Sequence, residues 1–270
     1  MPTKKTTAMT PSTSIDVDAP FPADSVMWQV SREWCLLAGG PSAVILQAAH
    51  PVVAKGVMAF SRFQEAPFTR LFRTLDTVYA ITFGTKAEAG RIQTRMVALH
   101  RGIEGPGFSG LDADAQFWVL ATLIMASVTG YERVYGSLSG HQRQRFYDDM
   151  KHFGTFFGLA PGTGPVTWND FTAYYQSMVE GDVLGSDDAC RIVAHSIVYA
   201  RRPWYLFFLM PLVRGPLVEQ VPYPLRERLG LHSTVWTRLS WRLVRCLLRS
   251  MRYWPKPLKW TPHYRRRMQR

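Results

Sequence analysis

The stretch from Phe117 to Arg133, Phe-Trp-Val-Leu-Ala-Thr-Leu-Ile-Met-Ala-Ser-Val-Thr-Gly-Tyr-Glu-Arg, is apolar nearly all the way round a helix. A helix without a polar face has to be surrounded by other elements, so residues 112–136 are expected at the centre of the fold. The rest of the chain supplies its wrapping. A 3.6-residue period dominates and strand-like alternation is hard to find. Helices are predicted over about 25–39, 41–58, 66–83, 86–104, 139–157, 167–180, 187–200, 204–213, 223–230 and 234–252. Several starts are legible. Ser139 precedes one helix, Thr167-Trp-Asn-Asp170 resembles a capping box, and Asp187-Asp188 places acids in a first turn. Gly84, Gly136, Gly158 and Gly181 stand where helices should stop. The expected fold is a single all-α domain over 25–235, after a flexible leader (1–24) and before a basic helix and tail (236–270).

Composition excludes several classes. Cys35, Cys190 and Cys246 are odd in number, widely separated and each in an apolar run, so they read as buried thiols in a reducing compartment. There is no Cys-x-x-Cys, Gly-x-Gly-x-x-Gly, P-loop, His-Glu-x-x-His or Gly-x-Ser-x-Gly. Lys4 and Lys5 are not followed by an apolar run, so no secretory signal is expected. No 20-residue span reads as a membrane helix, because Gly39-Gly40-Pro41 and His50-Pro51 break the uncharged run from Cys35. The reading is a cytoplasmic protein. Its net charge of +12 sits wholly in residues 226–270, where 13 Lys and Arg face one acid, Glu227.

Several segments place polar groups among apolar ones, where each needs a partner. In 66–83, Arg70, Arg73, Thr74 and Thr77 share one face, either a solvated flank or a site for an oxygen-bearing ligand. In 86–104, His100 shares a stripe with Ile92, Met96 and Ile103. It is either a core histidine or a ligand. His50, before Pro51, suits a structural or a ligand role equally. Thr122 can bond back to its own helix, and Glu132 suits an ion pair with an arginine. In 234–252, Trp236, Leu239, Leu243, Leu247 and Met251 form an apolar stripe beside Arg238, Arg242, Arg245, Arg249 and Arg252. This basic amphipathic helix either docks on the core or lies peripherally on a membrane. No motif supports specific nucleic-acid binding.

Taken in order, Gly39-Gly40-Pro41, Gln47 to His50-Pro51, Ser61-Arg62-Phe63, Arg70-x-x-Arg73-Thr74, Tyr79 to Gly84 and His100 resemble the MpaB/rubber-oxygenase catalytic domain (DUF2236). Trp118, Ala121-Thr122-Leu123, Tyr131-Glu132, Phe153-Gly154 and Trp168 to Tyr175 continue the resemblance, which covers roughly 30–235. It implies a helical fold enclosing a pocket for non-covalent haem b, and an oxygenase or related oxidoreductase that uses O2 on a small hydrophobic substrate. The iron ligand falls on His100. Arg70 and Thr74 fall where a side chain would hydrogen-bond dioxygen or a propionate, Arg73 where one would meet a propionate or substrate, and His50 and Thr122 among the cofactor contacts. Phe72, Phe83 and Trp118 are expected as apolar walls. Rubber-cleaving members usually carry Lys at the position of Arg73, and many relatives carry His at the position of Leu120. The first departure, together with the expected lack of a secretory signal, points away from polyisoprene. The competing readings are a haem-binding protein without turnover and a cofactor-free helical protein docked on membranes.

Overall fold

The computed structural model describes residues 18–34, 36–60, 67–200 and 210–269, with the side chains of residues 37, 38, 41, 67–72 and 211 outside the described set. In chain order the helices are α1 (Val26–Ser31), α2 (Leu36–Ala48), α3 (Pro51–Phe60), α4 (Pro67–Phe83), α5 (Lys86–Arg101), α6 (Ala113–Tyr135), α7 (Gly140–Thr155), α8 (Trp168–Glu180), α9 (Asp188–Val198), α10 (Met210–Glu219), α11 (Tyr223–Arg228), α12 (Val235–Ser250), α13 (Lys256–Lys259) and α14 (Pro262–Met268). A two-residue hairpin, β1 (Glu104–Gly105) with β2 (Phe108–Ser109), joins α5 to α6. The fold is mostly helical, as the periodicity requires.

α6 is the central helix. Phe117, Trp118, Leu120, Ala121, Ile124 and Val128 are buried along its length. It packs most heavily on α2 and also contacts α1, α7 and α12. By length and composition it could cross a membrane, which amends the expectation that no span qualifies. Here its apolar surface is taken up by neighbouring helices. The Asp112 side chain accepts from the Ala115 N–H and caps its start, and Gly136, at φ +96°, ends it. The local signals read elsewhere also hold. Ser139–Gln142 forms a capping box, and Thr167 accepts from the Asp170 N–H. A further capping box, Thr85–Glu88, starts α5.

The N-terminal third departs from the expected boundaries. Gly39-Gly40-Pro41 does not interrupt a helix, since α2 runs through it. A Cβ at Gly39 would lie 2.4 Å from the Ala126 carbonyl oxygen, so this glycine lets α2 approach α6 rather than ending the helix. The predicted helix 41–58 instead breaks at His50-Pro51, and the segments on either side, Ser42–Ala48 and Pro51–Phe60, are bent by 97°. Pro51 takes the first position of α3, where its missing N–H costs nothing, and the His50 carbonyl accepts from Ala54 at 2.9 Å.

The C-terminal segment returns to the start of the fold. The Trp34 N–H donates to the Lys259 carbonyl (3.0 Å) and the Thr261 N–H to the Arg32 carbonyl (2.8 Å). Tyr264 of α14 packs edge-on against Trp28 and Phe83. Glu33, buried beneath this joint, pairs with Arg32 and accepts from the Tyr135 hydroxyl at 2.9 Å. Residues at the end of the expected leader also enter the core, Phe21 meeting His152 at 5.5 Å between ring centroids. Cys190 is a buried thiol as expected, but Cys246 is exposed on α12, and Cys35 lies outside the described residues.

Candidate functional site

His100 sits on the last turn of α5, half-buried, with Nδ1 3.0 Å from the Phe157 carbonyl oxygen. A carbonyl only accepts, so Nδ1 carries the proton, and Nε2 of the neutral ring keeps a lone pair. The carbonyl is free to accept because α7 ends just before it and Gly158, at φ +107°, turns the chain away. The Gln116 side chain donates to the same carbonyl at 3.3 Å and to the Gly110 carbonyl at 2.7 Å. This ties the loop after α7, the loop before α6 and the end of α5 together. Sequence reasoning did not include Phe157 or Gln116, since a backbone acceptor has no side-chain signature. The helix stop at Gly158 was the one legible hint.

Beside this joint a groove of about 560 Å³ runs between α5 and the end of α7. Val97, Leu159, Ala160 and Pro161 form its apolar lining, with Gln93, His152 and Thr155 as polar members. Gln93, Val97 and His100 stand at i, i+4 and i+7 on α5, so the groove and the imidazole share a helix face. His152 is a third residue missed from the sequence, where it reads as an ordinary helical position.

Thr122 stands at the joint between α2 and α6, and His50 follows the end of α2. The Gln47 side chain donates to Thr122 Oγ1 at 3.1 Å, and Thr122 donates to the Val119 carbonyl at 2.7 Å. The hydroxyl's one proton is thus committed to its own helix, and it can only accept from anything further. The Trp118 indole donates to the Leu46 carbonyl at 2.8 Å. His50 itself is buried, and its Nδ1 has no hydrogen-bond partner among the described residues. Burial holds its imidazole below the ordinary histidine pKa, against the opposing pull of Asp112 and Asp114 at the start of α6.

On α4, Arg73 and Thr74 are exposed and Thr77 bonds back to the Arg73 carbonyl. The side chains of Arg70 and Phe72, and the whole of Ser61-Arg62-Phe63, lie outside the described residues. Another face of α4 meets the C-terminal segment, with His263 Nε2 3.1 Å from Asp76. Two of the expected walls are core residues. Phe83 lies 5.2 Å from Trp28, and Trp118 stacks on Tyr175 at 5.4 Å. Burial raises the Tyr175 hydroxyl to about 12. Glu132 forms the expected ion pair, 2.8 Å from Arg143. Among the described residues no group of three or more His, Cys, Asp or Glu side chains is placed to hold a metal ion.

The catalytic-domain family described as ER-bound oxygenase mpaB/B'/rubber oxygenase matches residues 28–253, and the chain belongs to it. The family is one of oxygenase catalytic domains. The chain is also 28% identical over 148 residues to an uncharacterised protein of Mycobacterium bovis and to one of Mycobacterium tuberculosis. That alignment takes in 51% of the chain and 58% of each relative's length. No solved structure matches significantly.

Proposed function

We propose that this protein is a haem b-dependent oxygenase or related oxidoreductase acting with O2 on a small hydrophobic substrate, with His100 as the iron ligand. The observation that carries this reading is the His100–Phe157 bond. It fixes the tautomer an iron ligand needs, and a backbone carbonyl on the far nitrogen orients such a ligand and raises its basicity. Bound at Nε2, haem b would supply the redox chemistry with dioxygen that side chains lack.

The chain's own residues then do the holding and excluding. The Phe157 carbonyl and Gln116 keep the imidazole in one orientation. Arg70, Arg73 and Thr74 carry the family's motif and are the candidates for a propionate or for a hydrogen bond to dioxygen, while Thr122 offers only an acceptor. His50, with its unpartnered Nδ1, is the second candidate for the cofactor. The groove beside Val97, Leu159 and Pro161 suits an apolar substrate, because burying apolar surface there favours such a ligand over water. A peripheral membrane contact through residues 234–252 belongs to the same reading.

The test is the absorption spectrum of the purified protein after haem supplementation, for wild type, His100→Ala and His50→Ala. The reading expects a Soret band in the wild type that is lost or shifted in His100→Ala and kept in His50→Ala, with unchanged far-ultraviolet circular dichroism. A wild type without a Soret band overturns it. Loss confined to His50→Ala moves the ligand to that residue.

A further inference from the structure

α12 carries three faces rather than two. At about 100° per residue, Thr237, Trp241, Val244 and Leu248 fall within one arc of roughly 60°, and Arg238, Arg242, Arg245 and Arg249 within a second. Trp236, Leu239, Leu243 and Leu247 fall within a third arc of roughly 80°. The first arc is the docked one. Thr237 and Trp241 are buried, Leu248 packs on the core, and a Cβ at Gly215 of α10 would collide with Ser240 and the Trp241 backbone. α10 and α12 therefore meet in near backbone contact. The apolar stripe read from the sequence is a different arc, and apart from Met251, which is buried, it points outward. Trp236 is 79% exposed, Leu243 54%, Leu247 52% and Leu239 46%. The apolar surface continues past the helix end through exposed Tyr253, Trp254 and Leu258.

An outward row of Trp and Leu is costly in water unless something covers it. The charges beside it indicate what does. Among the described residues none of Arg238, Arg242, Arg245, Arg249 or Arg252 has a carboxylate within 4.0 Å, and residues 226–270 contain one acid, Glu227, against 13 Lys and Arg. A second copy of this surface would bring the two arginine rows together. A bilayer of anionic lipid offers acyl chains to the stripe and phosphates to the cations beside it, with Trp and Tyr at the interfacial depth they favour.

We propose that the outward face of α12, continued by Tyr253, Trp254 and Leu258, docks the protein on the surface of an anionic bilayer. The helix lies in the interface plane, its first arc held on α10 and α6. This deepens the membrane contact proposed above by naming its face and lipid charge. It does not rest on haem, so the Soret test and this one fail separately.

The experiment is co-sedimentation of the full-length protein with phosphatidylcholine vesicles, with and without phosphatidylglycerol. The variants are Trp236→Ser/Leu243→Ser and Arg238→Gln/Arg242→Gln/Arg249→Gln. All five side chains are exposed, so thermal melting should match wild type and confirm that the variants fold. The expected result is binding to the anionic vesicles only, weakened about tenfold or more by either variant. Raising salt from about 0.1 M to about 1 M, which shortens the screening length from roughly 10 Å to roughly 3 Å, should release wild type partly. The stripe variant binding like wild type overturns the proposal, as does wild type binding neither vesicle. A wild-type dimer that the stripe variant abolishes, without vesicle binding, assigns the face to a second copy instead and also overturns it.

Discussion

Gly39 of α2 lies against the Ala126 backbone of α6 so closely that an added methyl would sit 2.4 Å from the carbonyl oxygen. This contact sets the separation of α2 from the central helix α6. It also fixes where Gln47 meets Thr122 and where His50 enters the interior.

Gly39→Ala should therefore destabilise the protein, although alanine is the better helix former by about 1 kcal/mol. The methyl cannot be accommodated without moving a backbone, and overpacking of this kind costs about 1–3 kcal/mol or more. Gly90, inside α5, has no atom within 4 Å of an added Cβ. Gly90→Ala should stabilise by up to about 1 kcal/mol. Urea unfolding of the two variants beside wild type checks the pair. A destabilised Gly90→Ala, or a stabilised Gly39→Ala, would contradict the packing described.

Arg228 closes the end of α8. Its guanidinium donates to the carbonyls of Val179, Glu180, Gly181 and Leu184. The last carbonyls of a helix have no partner within it, and a planar fork of charged donors satisfies several at once. Arg228→Met should cost about 3 kcal/mol, because it leaves four acceptors to find water or go unpaired. Arg228→Lys, a point charge on a flexible stem, should recover less than half of that. Equal stability of the Lys variant and wild type in denaturant titration would show that charge alone is sufficient.

Asp149 on α7 gives a pH dependence of unusual sign. Burial raises its carboxyl to about 6, against the opposing Met27 backbone bond and Arg145. A folded state that binds the proton more tightly than the unfolded chain gains stability from it below about pH 4 and loses that gain as pH rises through 6. Asp149→Asn keeps an acceptor for Met27 without the charge. It should stabilise the protein at pH 7–8 by about 1 kcal/mol, with partial exposure discounting the full shift. The advantage should vanish near pH 4, and a constant advantage across that range would rule the carboxyl out as its source.

The parts of the fold legible in sequence were those decided locally. The apolar circumference of 112–136 placed the core helix, Ser139 and Thr167 placed two starts, and Gly136 and Gly158 placed two stops. The parts that were not legible depend on a partner helix. Gly39-Gly40-Pro41 reads as a breaker until Ala126 is seen beside it. The Trp236–Leu247 stripe reads as a docking face until Gly215 is found against the other side of α12. The candidate site divides in the same way. His100 and His50 could be singled out as imidazoles among apolar neighbours, but the Phe157 carbonyl that fixes the His100 tautomer is backbone. Only the path of the chain after α7 brings it there.

His50 supplies the last prediction. Its imidazole is buried at the bend between α2 and α3, its Nδ1 has no partner among the described residues, and burial holds its pKa below the ordinary value. The folded protein therefore binds this proton less readily than the unfolded chain. The contribution is present above the unfolded pKa of about 6.5 and is lost as pH falls through the folded value. His50→Leu removes the titrating group and its unpaired nitrogen together, and leaves the backbone bond from Ala54 to the residue 50 carbonyl intact. Replacing a buried polar group that has no partner with an apolar one of similar size is close to neutral. At pH 8 the variant should thus lie within about 1 kcal/mol of wild type. Below pH 6.5 it should lose less stability than wild type. Thermal melting across that range in the absence of haem separates this from a ligand role, since no cofactor is then bound. A variant that follows the wild-type acid limb point for point would show that the histidine is not the group being titrated.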